Sequence, residues 1–362
     1  MEAATPRALG YRMPAEWEPH QATWLAWPHN PEDWPGKFSS IPWIYAEIVR
    51  LLAEREHVHL VVEDARTQSR VSGMLRRAHA PLQNLSFHQW PTDRGWTRDS
   101  GPIFVRNRDG QVALTNWQFN AWAKYDDWHL DNQLPARVQE LLGLREWQPH
   151  VQKPDGAKCG VVLEGGSIDV NGAGLMLTTE ECLLSEAQQR NPGLSREQLE
   201  RVFSDYLGID QVIWLNRGIA GDDTHGHVDD IARFAAPDTI IAAVEPNTGD
   251  PNHEPLAENL ARLKAARTQQ GKQFTIVELP MPRPIVFRKQ RVPASYANFY
   301  LANGVVLMPT FHHPNDRVAL NILAQAFPER EVIGVHSVDL IWGLGALHCM
   351  TQQQPAAGAM QP

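Results

Sequence analysis

The sequence predicts an α/β fold assembled from one unit, a helix with three strands, repeated five times. Three observations carry this. Five amphipathic helices have recognisable start signals, a β-like run follows each helix, and an unusual polar cluster recurs at an equivalent place in each unit. Repetition at a fixed period marks solenoids and propellers. A doubly wound sheet is the ordinary alternative for alternating helices and strands.

The first helix is expected at 41–55, after Ser40 and with Pro42 in its first turn, where a fixed φ and a missing N–H cost nothing. The second, 134–144, carries Pro135 in the same role. The third, 196–207, follows Ser195 with Gln198 three residues on, a capping box. The fourth spans 254–268 with Pro255, Leu256, Leu260 and Leu263, and the fifth spans 316–326 after Asn315 or Asp316. All place apolar residues at i, i+3 and i+4. The runs read as strands after them are His57–Val62, Cys159–Leu163, Gln211–Leu215, Phe274–Leu279 and Glu331–His336. Further strands are expected at Gly174–Thr178, Val228–Phe234, Thr239–Val244, Tyr296–Ala302 and Gly304–Pro309. The last four helices start about 60 residues apart; a Trp-rich insertion, 117–131, lengthens the first interval. No Gly/Pro/Ser-rich linker divides the chain, so 1–362 reads as a single catalytic domain, with 1–12 and 356–362 as flexible ends.

Composition narrows the function. The 42 acidic against 33 basic residues give a net charge of −9, which argues against a nucleic-acid partner needing a basic face and suits a small cationic one. No apolar run is long enough to span a bilayer, and the first ten residues lack a basic stretch followed by an apolar one. The expectation is a cytoplasmic protein, away from membranes; a homo-oligomer is compatible with it. Three scattered cysteines exclude a disulfide scaffold. Of 13 tryptophans, nine precede residue 123, so whatever needs Trp sits early.

The polar clusters are WTRDSGP (Trp96–Pro102), EGGS (Glu164–Ser167), DDTHGHVDD (Asp222–Asp230), PASYANFY (Pro293–Tyr300) and GLGALHC (Gly343–Cys349). Their equivalent positions imply convergence on one site, built on loops held by a rigid scaffold. Cys349 is the candidate nucleophile, because a thiolate is intrinsically reactive once its proton is lost. Cys159 and Cys182 lie in apolar contexts and read as packing. If 225–230 is extended, His227 and Asp229 share a face, and imidazole can shuttle protons near neutrality. Asp99, Glu164 and Asp229 offer bidentate acceptors for a planar cation, and Trp96 offers an aromatic wall. This set suits thiol attack on a guanidinium carbon, with no metal or other cofactor. Two other readings stay open. One is a metallohydrolase on His225, His227 and Asp229, with His312 and His313 as further ligands, since HGHVDD resembles the HxHxDH signature with Asp230 in place of its last His. The other is a binder of guanidino ligands without turnover.

In the order MPAEWEPHQATWLAWP (Met13–Pro28), WTRDSGP, EGGS, LTTEECLLS (Leu177–Ser185), DDTHGHVDD, PASYANFY and HCMTQQQP (His348–Pro355), these motifs resemble the agmatine deiminase family, related to bacterial-type peptidylarginine deiminases of the guanidine-modifying superfamily. The resemblance covers nearly the whole chain. It implies a five-bladed α/β propeller of ββαβ units with pseudo-fivefold symmetry, and conversion of agmatine and water to N-carbamoylputrescine and ammonia. The nucleophile would be Cys349 and the catalytic His His227. Asp99 and Asp229 would bind the guanidinium, Glu164 would stand beside His227, Trp96 would stack, and Asp223 would hold the distal amine. The chain departs from the family where it reads Gly343-Leu344-Gly345-Ala346 in place of GGGN and THGHVDD in place of TNGHVDN. These departures leave the catalytic residues intact and bear on the substrate, with free or peptidyl arginine and methylated guanidines as alternatives.

Overall fold

The computed structural model describes residues 4–152 and 157–358. Among the described residues five sheets share one topology, an antiparallel pair followed by a helical crossover to a parallel third strand. Parallel pairing demands such a crossover, which explains why every unit needs its helix. The first unit joins His20–Ala26 to His57–Val62 through the helix Ile41–Ala53. The second joins Val112–Thr115 to Glu146–Trp147 through Leu134–Leu142, with Ile103–Arg106 leading. The third runs Asp169–Val170, Leu175–Thr179, helices Glu180–Leu184 and Arg196–Leu207, then Gln211–Leu215. The fourth runs Ala232–Ala236, Thr239–Val244, helix His253–Ala265 and Thr275–Pro280. The fifth runs Tyr300–Ala302, Val305–Thr310, helix Pro314–Ala326 and Glu331–His336. The first unit takes its leading strand, Gln352–Pro355, from the far end of the sequence, so the two ends of the fold are stitched into one sheet.

Local sequence chemistry accounts for most of these boundaries. Ser195 and Gln198 form the reciprocal capping box, and Pro42 and Pro135 lie in first turns. His313 caps the last helix with Asp316 returning the bond, so that helix begins at Pro314 rather than 316. His57–Val62, Gln211–Leu215, Thr239–Val244 and Glu331–His336 have the expected bounds.

Four expectations are corrected. The strand that closes the second sheet is the two-residue Glu146–Trp147, too short to leave a periodic signal; Cys159 lies instead in a hairpin of His150–Gln152 with Lys158–Gly160. The stretch 228–234 is a 3-10 turn, Val228–Asp230, before the strand Ala232–Ala236. The strand read at 296–302 is Tyr300–Ala302 alone. The first unit also carries an extra helix, Ala65–Arg77, and a fourth strand, Leu85–Gln89.

Of the ends read as flexible, 1–3 and 359–362 lie outside the described residues. Residues 4–12 are held: Arg7 bonds Ser204 Oγ at 2.8 Å and Arg12 N–H bonds Arg106 O at 3.0 Å. Each polar cluster falls just before, or at the start of, the leading strand of a sheet. Among the described residues no helix is long and apolar enough to cross a membrane.

Candidate active site

Cys349 closes the connection into Gln352–Pro355 and is buried, yet its sulfur lines a pocket with Trp96, Asp99, Trp122, Asp223 and Leu344. Asn298 Nδ2 donates to Sγ at 3.2 Å, and Sγ lies 3.7 Å from Asp229 Oδ2. Burial, reinforced by Asp229, Asp230 and Asp99, holds the thiol well above its ordinary pKa, while the Ala346 N–H favours the anion. The resting sulfur is therefore protonated at neutral pH, in a pocket that invites positive charge.

The tight approach to Cys349 sets the local backbone. A side chain on Gly345 would stand 2.7 Å from the Trp96 ring and 3.1 Å from Cys349 Cβ. Leu344 itself sits at φ 67°, a left-handed conformation that costs a residue with a Cβ about 1–2 kcal/mol. The departure from GGGN thus stores strain at the pocket wall.

Asp99 comes from the short helix Thr97–Ser100. Its Oδ2 accepts from Trp122 Nε1 at 2.9 Å and its Oδ1 from Gly166 N–H at 3.0 Å. Burial raises its carboxyl to about 6, with His227 opposing and Asp229 and Glu164 adding to the rise. Asp229 behaves oppositely. Burial works against its charge, but His348, bonded to Oδ2 at 2.7 Å, and then His227 hold its pKa below the usual range.

His227 and Asp229 meet the site through a turn, not through strand alternation. Asp222 Oδ2 accepts the N–H groups of Gly226 and His227 and shapes that turn. His227 Nδ1 lies 3.9 Å from Asp99 Oδ1, and neither ring nitrogen makes a hydrogen bond among the described residues. Burial would lower its pKa; Asp99, Cys182 and Asp229 outweigh that and raise it well above the ordinary value, favouring imidazolium. Glu164, fully buried, accepts from Arg190 Nε at 2.9 Å on Oε1, leaving Oε2 without a partner. Gly166 backs the group: a Cβ there would lie 2.6 Å from His227 Nδ1 and 2.8 Å from Asp99 Oδ1.

The other two cysteines part company. Cys159 is a half-buried hairpin residue, but Cys182 faces the site, with its sulfur, a Glu164 oxygen and a His227 nitrogen all within 4.8 Å of one another. The packing role read for Cys182 therefore omits its chemistry; a cysteine inside TTEEC gave no signal of it. The metal set His225, His227 and Asp229 is not assembled. Among the described residues the one grouping of three metal-capable side chains is Glu164, Cys182 and His227. His225, at φ 65°, turns its ring to Ser185 Oγ at 3.2 Å. His313 is spent capping its helix, and His312 packs edge-on to His336.

Several participants were silent in the sequence. His348 bridges Asp229 to Glu16, whose Oε2 it meets at 2.7 Å, and Glu16 in turn accepts from Arg233 at 2.7 Å. Asn298, within PASYANFY, holds both Cys349 and Asp230. The Trp-rich insertion supplies Trp122 to Asp99, and at the pocket mouth it supplies Lys124 and Tyr125 to Asp223. Asp223, expected to hold a distal amine, already carries an ammonium, that of Lys124, while Tyr125 OH bonds its other oxygen at 2.6 Å.

Buried carboxylates flanking a thiol, an imidazole in reach of one of them and an aromatic wall make a receptor for a flat cation and a means of attacking it. Comparison with known proteins points the same way. Residues 12–355 match the family model described as Porphyromonas-type peptidyl-arginine deiminase. An agmatine deiminase of Pseudomonas syringae pv. tomato is 36% identical over 98% of both chains. The agmatine deiminase structure of Enterococcus faecalis superposes with a TM-score of 0.88 at 30% identity, covering 98% of this chain and 99% of that one. A C. jejuni agmatine deiminase with substrate bound gives 0.83 at 29% identity, covering 96% and 97%.

Proposed function

The chain belongs to the Porphyromonas-type peptidyl-arginine deiminase family, and from that premise we propose that it hydrolyses agmatine to N-carbamoylputrescine and ammonia, acting as a single catalytic unit in the cytoplasm. The observation that carries the reading is that Cys349, Asp99 and Trp96 line one pocket, with Asp229 Oδ2 3.7 Å from the Cys349 sulfur. We take the repeated sheets, joined end to end by Gln352–Pro355, as the five blades of an α/β propeller whose inter-sheet connections form that pocket.

Asp99 and Asp229 pair with the guanidinium, and Trp96 lies beside it. Arrival of the cation offsets the carboxylates that hold the Cys349 thiol protonated, so once substrate is bound the thiol releases its proton to solvent and the thiolate forms. Sulfur attacks the guanidinium carbon, forming a C–S bond and a tetrahedral adduct. His227 as imidazolium gives its proton to the departing nitrogen and ammonia leaves, giving an S-alkylthiouronium. The neutral imidazole, beside Glu164, then takes a proton from water, whose oxygen attacks the same carbon. The C–S bond breaks, the thiolate returns, the hydroxyl proton passes to solvent and the ureido product departs. The substrate brings the positive charge, so the scheme draws on no cofactor.

Ammonia release from agmatine tests this. The wild type should turn over, Cys349→Ser should be inactive while folded, and chelators should leave the rate unchanged. Turnover that survives in Cys349→Ser overturns the scheme. One observation favours a second substrate. Lys124 covers Asp223, so a tail carrying both charges, as free arginine does, would place a carboxylate at Lys124 and an ammonium at Asp223. A panel of agmatine, arginine, methylguanidines and peptidyl arginine decides between them. For agmatine, Lys124→Gln should lower KM by uncovering Asp223; for arginine it should raise it.

A further inference from the structure

We propose that Glu164, Cys182 and His227 form a binding site for a thiophilic divalent cation such as Zn2+, and that its occupation switches the enzyme off. The inhibitory half of this rests on the function proposed above; the binding half does not.

The three ligand atoms lie within 4.8 Å of one another and all three residues are buried. Two of them bring donor atoms that nothing in the described structure satisfies, Glu164 Oε2 and the ring nitrogens of His227. Buried polar atoms of this kind are rare and point to a ligand. The reaction employs Glu164 and His227, but Cys182 makes and breaks no bond in it.

The frame is already rigid. Thr179 Oγ1 accepts the Cys182 N–H at 3.0 Å and donates to Gly226 O at 2.6 Å, so one side chain ties the cysteine's turn to the turn that carries His227. Arg190 fixes the other oxygen of Glu164 at 2.9 Å. A thiolate, an imidazole and a carboxylate suit zinc, which takes four ligands and leaves the fourth place to water in open sites. The sulfur and nitrogen donors select against magnesium and calcium, which prefer oxygen. Two anionic ligands balance the dication. Binding requires the Cys182 thiol and the His227 imidazolium each to release a proton to solvent. A metal held there takes the imidazole lone pair and the free carboxylate oxygen, and the imidazole can no longer pass protons.

Titration of the full chain with cobalt chloride tests the site, because a thiolate on cobalt gives a charge-transfer band in the near ultraviolet. The expected result is one cobalt per chain with that band, preserved in Cys349→Ser, lost in Cys182→Ser and in His227→Gln, and displaced by zinc. A band lost in Cys349→Ser but kept in Cys182→Ser overturns the proposal, since the metal then sits on the nucleophile. So does the absence of any band in the wild type. X-ray absorption of zinc-loaded Cys349→Ser reads the site with Cys182 in place, so misfolding of the Cys182 variant cannot hide the answer; a first shell without sulfur overturns it. In the activity assay zinc should inhibit and EDTA should restore the rate. Inhibition should weaken in Cys182→Ser by more than the roughly 10–100-fold that losing an outer-shell partner costs. Equal zinc sensitivity in the two proteins overturns the inhibitory half. An enzyme that never turns agmatine over sinks the function proposed above and leaves the cobalt titration to decide this site.

Discussion

Asp99 is pulled in opposite directions by its neighbours, and in the proposed reaction its charge is what pairs with the guanidinium. Burial lifts its carboxyl to about 6; His227 opposes the rise, Asp229 and Glu164 reinforce it, and the Trp122 indole opposes it again. Below that pH the group is neutral and the pocket loses one acceptor. We expect kcat/KM for agmatine to rise with pH through about 6 and then level off, because this parameter reports the free enzyme. Stability moves the other way. The folded pKa lies above the unfolded value, so the folded chain keeps a proton that the unfolded chain releases. The resulting contribution is complete below the unfolded pKa and disappears as pH rises through about 6. A pH–rate profile that stays flat to about pH 5 contradicts the assignment. Asp99→Asn should cost kcat/KM at least ~30-fold, the smaller end of what losing one partner of a buried charged pair costs.

At the scale of elements, helices with chemical start signals were legible from sequence, as the Ser195 box and the prolines Pro42 and Pro135 show. Four strands also had the bounds their apolar runs suggested. What local pattern could not reveal are segments whose shape depends on distant contacts. The turn at His227 is set by Asp222, and Glu146–Trp147 exists only because Val112–Thr115 offers it an edge. Most of the candidate residues lay in motifs, but Cys182, Glu16 and Asn298 acquire meaning only when residues remote in sequence meet. The insertion 117–131 is the clearest case. Ala121, Trp122 and Ala123 all have positive φ, a strained run that persists only where the surroundings enforce it. Its product is the indole N–H on Asp99. A hydrogen bond to a charged group contributes about 1.5–3 kcal/mol, so Trp122→Phe should lower kcat/KM by roughly tenfold or more. It should also move the acid limb of the profile upward, because the indole holds the Asp99 pKa down. A lower kcat/KM with an unmoved limb would mean that Trp122 acts only as a wall.

For the whole molecule, the question is what ties the five sheets together. Arg233, on the leading strand of the fourth sheet, donates to Asp169 of the third at 2.5 Å and to Glu16, ahead of the first, at 2.7 Å. It also donates to Phe299 O beside the fifth at 2.8 Å. Glu16 reaches back to His348 and lies 3.6 Å from Arg98, which leads into the second sheet. One buried cluster therefore touches every unit, and through His348 it ends on Asp229, beside Cys349. Removing one member of such a cluster leaves its partners charged and unsolvated, at about 3–5 kcal/mol. Arg233→Met keeps the bulk and removes the charge, so in a chain of this length it should lower Tm by about 5 °C. The loss should appear as one cooperative transition, because all units share the group. Arg50→Gln provides the contrast: its pairs with Glu47 and Glu54 lie on the solvent side of the helix Ile41–Ala53, where such contacts contribute about 0–1 kcal/mol. Scanning calorimetry distinguishes the two. If Arg233→Met melts with Arg50→Gln, the centre is held by apolar packing and the charges only position Asp229. If it melts several degrees below, the network that orients Asp229 is also what holds the five units together.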